Sequence, residues 1–457
     1  MKIAFYTLGC KVNQYETQAL KEKFISLGHQ IVGEQDPADV YIVNTCTVTG
    51  LADRKSRQYI RRMKKLNPKS ITAVIGCYAQ VKPDEIMAIE EVDIVAGNNE
   101  KNRLPEYIDN YIAQKDKLES PVCHIKSYEQ LSEYEETGII TSMESRTRAY
   151  IKVQEGCNQF CTYCIIPYAR GKVRSRSIEN IICEAQSLIA KGFKELVLTG
   201  INTALYGMEE KTDNPYLQGT EEKKEKEIYG IERVIKSLNE LPGDFRIRLG
   251  SLEPTVINAS YVKRLIQYKK LCPHMHLSLQ SGSNRILNLM NRHYDCKGYL
   301  DIVKVLRNFD LGYGFTTDII VGFPGETEED FQESIKMIEE VKFSKVHIFP
   351  YSKRKGTKAA EMPKQIPSEI KKRRIDEMTM VSEKSSQSYL ESNLGTVRQV
   401  LFEEYDEKND YITGFSDNYI KVYYKVPKGV EVNSLLNSFH DVKLLSVYKK
   451  GINVKVL

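Results

Sequence analysis

Three cysteines lie close together in the segment Gly-Cys-Asn-Gln-Phe-Cys-Thr-Tyr-Cys, as Cys157, Cys161 and Cys164. A Cys-x3-Cys-x2-Cys loop can place three thiolates around one metal centre, and thiolates are soft ligands that suit iron–sulfur clusters or zinc. Three ligands leave one iron of a four-iron cluster without a protein ligand, and an open position is typical of catalytic metal sites. The alternative is a zinc knuckle with a distant fourth ligand.

Three further cysteines are far apart in the sequence, but each follows the end of a predicted strand. They are Cys10 after Thr-Leu-Gly, Cys46 after Val-Asn-Thr and Cys77 after Val-Ile-Gly. The carboxyl ends of parallel strands share one edge of a sheet, where open α/β sheets bind ligands. We therefore expect these cysteines to converge on a second three-thiolate cluster. Three separate buried cysteines are the weaker alternative, because two follow glycine and one follows threonine at loop positions.

The histidines give no zinc or acid–base signature. The chain has 7 of them, and only His274 and His276 stand at ligand spacing. We expect this pair to line a strand.

The elements that position the cysteines follow three patterns. Near the N-terminus, buried runs at 3–8, 39–44 and 71–75 alternate with helical stretches, which predicts βαβ units and a parallel sheet. Between 149 and 360 six more strand–helix units predict an incomplete (β/α) barrel. Short β-rich runs with turn signals after 397 predict a small all-β barrel. The predicted fold class is α/β, with these three units in series.

The predicted domain boundaries follow these patterns. Residues 1–112 form the N-terminal domain, 113–142 a linker, 143–375 the central barrel, and 376–457 the end of a bridging helix with the C-terminal barrel. A chain of 457 residues agrees with about three domains. A polar stretch over 207–230 is expected to be a solvated insertion.

Charge and hydropathy exclude several classes of protein. Lys and Arg total 66 against 61 Asp and Glu, which excludes a histone-like polycation and a highly charged disordered protein. No apolar stretch approaches the roughly 18 residues of a membrane-spanning helix, and the N-terminus does not read as a signal peptide. We therefore expect a cytoplasmic protein with no membrane partner.

Taken in order, these motifs resemble those of the radical S-adenosylmethionine methylthiotransferase family over nearly the whole chain. The match is specific because it includes both cysteine triads. The motifs are Thr-Leu-Gly-Cys10-Lys-Val-Asn-Gln-Tyr-Glu-Thr, Asn-Thr-Cys46-Thr-Val-Thr, Gly-Cys77-Tyr-Ala, the Cys157–Cys164 loop, Ile-Pro-Tyr-Ala-Arg170-Gly, Ser-Leu-Gln280-Ser-Gly-Ser and Asp318-Ile-Ile-Val-Gly-Phe-Pro-Gly-Glu-Thr. The last segment resembles the TRAM domain, a small RNA-binding barrel.

The resemblance implies two [4Fe-4S] clusters and S-adenosylmethionine. The cluster on Cys157, Cys161 and Cys164 would bind S-adenosylmethionine and generate a 5′-deoxyadenosyl radical. The cluster of Cys10, Cys46 and Cys77 would handle sulfur, and no catalytic residue is expected beyond the cluster cysteines. The lack of an acid–base constellation fits, because radical chemistry is delegated to cofactors. An external electron donor is implied, and the sulfur source is unknown.

Four residues are predicted to bind S-adenosylmethionine. Ser251, Glu253 and Gln280 stand at strand ends, which should face the same barrel mouth as the cluster. Tyr163 matches a position that the superfamily keeps aromatic near the adenine. The family often has Ser where this chain has Gly250.

The implied substrate is an adenosine in the anticodon loop of tRNA. The motifs around Cys10 and Cys46, with Phe349-Pro-Tyr-Ser-Lys-Arg-Lys-Gly-Thr, resemble the threonylcarbamoyladenosine branch. The implied reaction is methylthiolation of carbon 2 of N6-threonylcarbamoyladenosine at position 37, 3′ of the anticodon. The alternatives are the isopentenyl-adenosine enzyme and, in another class, a non-enzymatic, metal-stabilised RNA-binding protein.

Two groups of arginines are candidate RNA contacts. Arg57 and Arg61 share one face of a basic helix, which can neutralise phosphates. A solvated helix face is an equal alternative. Arg170, Arg174 and Arg176 follow the cysteine loop, so we expect them to contact RNA or cofactor. Aromatic residues on the C-terminal barrel can stack bases, although strand alternation places about half of them in the core.

Overall fold

The computed structural model describes residues 1–117, 120–131, 133–142, 147–209, 228–427 and 429–457. Most of the predicted insertion over 207–230, and part of the predicted linker, lie outside these residues. Within them, no helix has both the length and the apolar character needed to cross a membrane.

The N-terminal region is a sheet of six parallel strands in the order β2-β1-β3-β4-β5-β6. These are β1 (Lys2–Thr7), β2 (Gln30–Val32), β3 (Val40–Thr45), β4 (Ile71–Gly76), β5 (Ile94–Ala96) and β6 (Val122–His124). Every residue of β3 and β4 is buried, as expected for parallel strands with helices on both faces.

Five helices accompany this sheet, and they are α1 (Lys11–Ser26), α2 (Gly50–Leu66), α3 (Cys77–Val81), α4 (Pro83–Met87) and α5 (Leu104–Gln114). Apolar residues of α1 and α5 pack on one face of the sheet, and those of α2 pack on the other. The structure differs from the predicted linker over 113–142, because β6 lies within that range and pairs with β5.

The central region is an open barrel of parallel strands. Its strands are β7 (Arg148–Lys152), β10 (Glu195–Thr199), β11 (Arg246–Leu249), β12 (Ser251–Leu252), β13 (His274–Leu277), β14 (Gly314–Val321) and β15 (Lys345–Pro350), and β8 (Gln154–Glu155) pairs with β9 (Arg174–Ser175). In the part of the chain that the structure describes, β7 pairs only with β10 and β15 only with β14, so both are edge strands. Alternate side chains of these strands, such as Ala149 and Ile151, point away from the barrel axis and join the apolar core beneath the surrounding helices. Their neighbours therefore face the barrel interior.

The helices of this region surround the open barrel. They are α6 (Ile166–Arg170), α7 (Ile178–Ala190), α8 (Ile231–Asn239), α9 (Ala259–Leu265), α10 (Asn284–Leu289), α11 (Cys296–Phe309), α12 (Glu328–Val341) and α13 (Lys358–Glu361). Helix α14 (Ser368–Ser392) packs on α12 and β15 and leads to the last unit.

The C-terminal unit is a closed five-stranded barrel in the order β16-β17-β18-β20-β19. It contains β16 (Val397–Asp406), β17 (Tyr411–Ser416), β18 (Lys421–Lys425), α15 (Val432–Leu435), β19 (Phe439–Tyr448) and β20 (Gly451–Val456). The predicted fold class is confirmed: a parallel α/β sheet, an open (β/α) barrel and a small all-β barrel follow one another along the chain.

The C-terminal barrel packs against the amino-terminal ends of the central strands. Arg148 on β7 forms an ion pair of 2.6 Å with Glu403 on β16. The Arg248 guanidinium lies 4.5 Å from the centre of the Tyr419 ring, and that ring packs against the His274 ring in a tilted arrangement with ring centres 4.8 Å apart. Tyr419 therefore closes one end of the central barrel rather than facing solvent as an RNA contact.

A buried network of charged side chains joins the N-terminal domain to the central barrel. Glu16 on α1 accepts from Arg170 and Lys152, each at 2.8 Å, and also pairs with Lys101. Glu155 completes the network, accepting from Arg170 at 2.7 Å. Burial alone would raise the pKa of Glu16, but the surrounding cations hold the pKa well below its usual range. The carboxylate is therefore charged at neutral pH, and it fixes the two domains against each other.

Replacing Glu16 with Gln should destabilise the folded protein by about 3–5 kcal/mol, because three buried cations lose their shared carboxylate. Since the folded pKa of Glu16 is depressed, its contribution is present at neutral pH and is lost as pH falls below about 5. Urea denaturation from pH 7 to 4 should therefore show a shallower pH dependence for Glu16→Gln than for wild type. The control is Glu106→Gln, which removes an exposed pair with Arg103. Equal stability of the two variants would contradict the prediction.

Candidate functional site

The loop of Cys157, Cys161 and Cys164 lies between β8 and α6, and its backbone needs a glycine before the first cysteine. Gly156 has a φ of +72°, and a Cβ there would lie 1.7 Å from the carbonyl oxygen of Lys172. The amide of Cys157 donates to the Gly171 carbonyl at 3.1 Å, and that of Cys164 donates to the Cys161 carbonyl at 2.9 Å. These contacts fold the loop back on itself and bring the three thiols together.

The electrostatics of this loop fit a cationic ligand. Burial raises the pKa of Cys161 to about 12, against the opposing charge of Arg292. Burial, the Glu253 carboxylate and the neighbouring thiols also raise the pKa of Cys157 well above its usual value. Without a metal these thiols stay protonated at neutral pH, whereas a bound metal deprotonates them. The donor set therefore fits the predicted three-thiolate iron–sulfur site.

Two of the predicted cofactor-binding residues are joined by an arginine that the sequence analysis missed. Arg292 forms an ion pair of 2.7 Å with Glu253 and donates to the Tyr163 hydroxyl at 2.7 Å. Glu253 also accepts from Asn202 at 2.7 Å. Arg292 follows α10 in a segment without a recognisable motif, so no sequence signal pointed to it. Tyr163 and Glu253 thus lie in one hydrogen-bonded chain beside the cysteine loop.

The other two predicted cofactor-binding residues lie at strand ends on the same side of the barrel. Ser251 begins β12, is half-buried and stands in register with His276 on β13. Gln280 has a φ of +65°, and its amide donates to the Asp318 carbonyl of β14 at 2.8 Å. A left-handed non-glycine residue indicates local backbone strain. Their binding of a cofactor remains a prediction.

The cysteines at the ends of β1, β3 and β4 also converge. Cys10 precedes α1, Cys46 follows β3, and Cys77 begins α3. Gly9 has a φ of +107°, and a Cβ there would lie 2.8 Å from the Cys46 Cβ. Burial raises the pKa of Cys46 to about 12, and the nearby Cys77 and Cys10 thiols add to this effect. Cys10 is exposed while the other two are buried, so this second thiol set opens to solvent on one side.

The two thiol sets are connected through α3 and α6, which contact each other. Asn98 donates to the Cys77 sulfur at 3.7 Å and to the Ala169 carbonyl of α6 at 2.7 Å. Arg170, the last residue of α6, is also close to Cys77. Burial opposes its charge, but Cys77, Glu16 and Glu155 together hold the pKa of Arg170 above its ordinary value. Asn98 and Arg170 therefore bridge the second thiol set to the segment that follows the first.

A polar chamber lies inside the open barrel. It is lined by His276 on β13, Asp318 on β14 and His347 on β15, whose nitrogen and carboxylate atoms all lie within 4.8 Å of one another. Lys11, next to Cys10, is an exposed residue of the N-terminal domain at the opening of this chamber, with its ammonium 5.8 Å from the centre of the Tyr150 ring of β7. Burial lowers the pKa of His347, and the charge of Lys11 contributes to this effect. Lys11 therefore lies beside the edge strand β7, and its charge acts on His347 of the other edge strand, β15. The sequence analysis placed His276 on a strand but did not assign it to a site.

The structure contradicts the prediction that Arg170, Arg174 and Arg176 contact RNA. All three are at most 2% exposed. Arg170 pairs with Glu16 and Glu155, Arg174 donates to the Arg170 carbonyl at 2.9 Å, and Arg176 pairs with Glu184. Buried cations need such partners, so these arginines hold the domains together and are not available to phosphates. These arginines follow the cysteine loop in the sequence because they hold that part of the barrel against the N-terminal domain.

The other two candidate arginines lie on α2. Arg61 is exposed, while Arg57 is half-buried and donates to the Tyr78 hydroxyl at 2.6 Å. Both line a surface cavity together with Lys82 and Arg354. Asp53 and Glu85 line the same cavity and pair with Arg354 and Lys82, so its excess positive charge comes from Arg57 and Arg61. RNA binding by Arg57 and Arg61 stays a prediction.

A second exposed basic surface lies on the C-terminal barrel. The rings of Tyr411 and Tyr448 stack at 5.5 Å, and that of Tyr423 lies edge-on to Tyr448 at 5.1 Å. Lysine ammonium groups lie within 6 Å of these rings, from Lys421, Lys425 and Lys449. This tyrosine–lysine patch combines base-stacking groups with cations, as in single-strand binding surfaces.

Comparison with known proteins finds two family models along the chain. Residues 2–97 match the uncharacterized protein family UPF0004, and residues 151–338 match the radical SAM superfamily. A solved structure of the radical S-adenosylmethionine methyltransferase TsrM from Kitasatospora setae, with cobalamin and a [4Fe-4S] cluster bound, is similar in fold. Its TM-score is 0.55 at 12% identity, over 79% of this chain and 77% of that chain.

Curated relatives match nearly end to end. The threonylcarbamoyladenosine tRNA methylthiotransferase MtaB of Bacillus subtilis is 40% identical over 100% of this chain and 97% of its own length. The protein of the same name from Aquifex aeolicus is 40% identical over 94% of this chain and 100% of its own length. The tRNA-2-methylthio-N(6)-dimethylallyladenosine synthase of Caldicellulosiruptor saccharolyticus is 34% identical over 89% of this chain and 83% of its own length.

Replacing Gly156 with Ala should prevent the Cys157 loop from closing, because the added Cβ meets a backbone carbonyl and the φ disfavours any side chain. We expect the variant to lose the iron bound by this loop after anaerobic reconstitution, measured as iron and sulfide per chain. Gly50→Ala is the control, since its nearest neighbour would be the Ser352 hydroxyl at 3.8 Å. Iron content equal to wild type in Gly156→Ala would show that the loop tolerates the change.

Proposed function

This chain belongs to the threonylcarbamoyladenosine tRNA methylthiotransferase family of radical S-adenosylmethionine enzymes, and we propose that it methylthiolates carbon 2 of N6-threonylcarbamoyladenosine in tRNA. The product is 2-methylthio-N6-threonylcarbamoyladenosine at position 37, next to the anticodon. The observation that carries the proposal is 40% identity to relatives of that name over nearly the whole of both chains. Relatives named for dimethylallyladenosine match at 34–35% over 81–90% of this chain, which supports the isopentenyl alternative less.

The first cysteine set would hold a [4Fe-4S] cluster. When bound, that cluster and S-adenosylmethionine supply the electron and the radical needed to remove hydrogen from an unactivated carbon. Cys157, Cys161 and Cys164 provide three thiolates and leave one iron for the cofactor. The Glu253–Arg292–Tyr163 chain would fix the aromatic ring of Tyr163 beside that position. Ser251 and Gln280 are proposed to bind the same cofactor from the ends of neighbouring strands.

We further propose that Cys10, Cys46 and Cys77 hold a second [4Fe-4S] cluster, which would handle sulfur. Support comes from three thiols on adjacent strand ends, with glycine at the one position where a Cβ would meet Cys46. Asn98 donates a hydrogen bond to the Cys77 sulfur, as expected for a thiolate ligand. The non-enzymatic, metal-stabilised alternative accounts for convergent thiols but not for 40% identity to methylthiotransferases over nearly the whole chain.

The proposed partners follow from this chemistry. The target base lies in the single-stranded anticodon loop, where turning a base out of the stack costs least. Consumption of an electron implies an external electron donor. A tRNA substrate also agrees with a cytoplasmic location, which we propose on that ground.

Deleting the gene should remove 2-methylthio-N6-threonylcarbamoyladenosine from cellular tRNA, as read by mass spectrometry of tRNA nucleosides. Complementation with wild type should restore it, whereas Cys157→Ala and Cys46→Ala should not. The purified variants should differ, because Cys157→Ala loses 5′-deoxyadenosine formation while Cys46→Ala keeps it. Loss of the isopentenyl product instead would refute the proposed substrate. Identical behaviour of the two variants would argue against two separate clusters.

Replacing Tyr423 with Ala should weaken tRNA binding by about 5- to 100-fold, because base–aromatic stacking contributes about 1–3 kcal/mol per base. Lys449→Gln should lower the salt dependence of binding by about one phosphate contact. Filter binding of unmodified tRNA across a range of salt concentrations measures both effects. Lys443→Gln, exposed further along β19, is the matched control. Unchanged affinity in the first two variants would exclude the tyrosine–lysine patch as the RNA surface.

A further inference from the structure

The polar chamber contains His276, Asp318 and His347, and none of these residues has a role in the proposed binding of the clusters or of S-adenosylmethionine. Lys11 follows Cys10 directly, so it belongs to the side of the second set. The Asp318 carbonyl accepts from Gln280, so it belongs to the side of the first set. A group bound between Lys11 and Asp318 would therefore lie between the two clusters. That is where a reacting base must lie if one set generates the radical and the other handles sulfur.

The hydrogen bonds inside the chamber leave several groups free for a ligand. The His276 Nδ1 lies 3.0 Å from the Thr316 hydroxyl, and its Nε2 lies 3.4 Å from the Asp318 carboxylate. The His347 ring is tilted relative to that of His276, with ring centres 6.0 Å apart. Within the described residues, the Lys11 ammonium has a contact with the Tyr150 ring and no carboxylate within ion-pair distance. The chamber thus offers an unpaired cation beside groups that can both donate and accept hydrogen bonds.

Resting on the proposed function, we infer that Lys11, with Asp318 and His347, recognises the threonylcarbamoyl group on the target adenosine. That group carries a carboxylate, a hydroxyl and a ureido unit. Lys11 pairs with the carboxylate, and Asp318 accepts from the hydroxyl or a ureido N–H. His347 supplies a further hydrogen bond. An isopentenyl group has no polar atoms, so it would cover Lys11 and His347 without pairing them and would leave Asp318 with His276 alone. A site built for polar groups rejects such a ligand strongly.

A divalent cation on His276, Asp318 and His347 is the competing use of the same side chains. Their donor set and spacing suit a metal. The ammonium of Lys11 opposes it, because a cation beside Tyr150 at the same opening of the barrel would repel a metal ion there. The charge balance therefore favours an anionic group of the substrate over a metal ion.

The test compares the affinity of reconstituted full-length enzyme for three anticodon stem-loops that differ only at position 37. They carry threonylcarbamoyladenosine, isopentenyl-adenosine or unmodified adenosine. Wild type should prefer the first by about 10- to 100-fold, the range of one charge-assisted hydrogen bond. Lys11→Met should remove most of this preference while binding unmodified adenosine as wild type does. Lys11→Arg should retain much of it.

Asp318→Asn provides a second variant, because Lys11 adjoins a proposed cluster ligand. Asp318→Asn should lower the preference about tenfold. It decides the test if Lys11→Met cannot be loaded with iron. Lys304→Met, exposed on α11, is the control for loss of a positive charge. Preference retained in both Lys11→Met and Asp318→Asn would overturn the inference, as would preference lost on EDTA treatment of wild type with iron content unchanged. The proposed function fails separately, if wild type does not convert the threonylcarbamoyl stem-loop to its methylthio product.

Discussion

The structure depends on a carboxylate of the N-terminal domain, Glu16, that is surrounded by cations from the central barrel and its own domain. A buried charge is tolerated only when it is paired. Arg170 and Lys152 share Glu155, so they and Lys101 are fully paired only while Glu16 of α1 is in place. The same docking brings Cys10 to the open side of the barrel and places Arg170 beside Cys77. One electrostatic requirement thus aligns the two cysteine sets.

The same docking covers the gap between the edge strands β7 and β15. An open barrel alone would expose polar inward-facing side chains to bulk water. With α1 in place, Lys11 lies beside β7 at the opening of the gap, and Tyr419 of the C-terminal barrel closes the far end. Three units of the chain therefore surround one chamber, with one proposed cluster on each side. The C-terminal barrel accordingly has two surfaces, one against the central strands and one with the tyrosine–lysine patch.

The sequence was a good guide to elements and cysteines and a poor guide to arginines. Strand runs and the glycine residues before Cys10 and Cys77 carry local signals, because strand burial and positive φ are properties of short segments. Arg174 and Arg176 carry none. The local sequence around a loop arginine is the same whether the side chain contacts a phosphate or a buried carboxylate. Only the positions of Glu184 and Glu16 in the folded protein show that these arginines contact carboxylates. Arg292 was missed for the same reason, since its partners Glu253 and Tyr163 are remote in sequence.

By itself, the sequence determined the three units, the family and the two sets of convergent cysteines, because each depends on residue type and local spacing. The tertiary structure alone decided which charged side chains are buried and that part of the predicted linker adds a sixth strand. It alone also brought His276, Asp318 and His347 together on neighbouring strands of the barrel. These features depend on how the domains pack against one another. The free energy of that packing comes from contacts between residues that are far apart in the sequence, so no short segment reveals it.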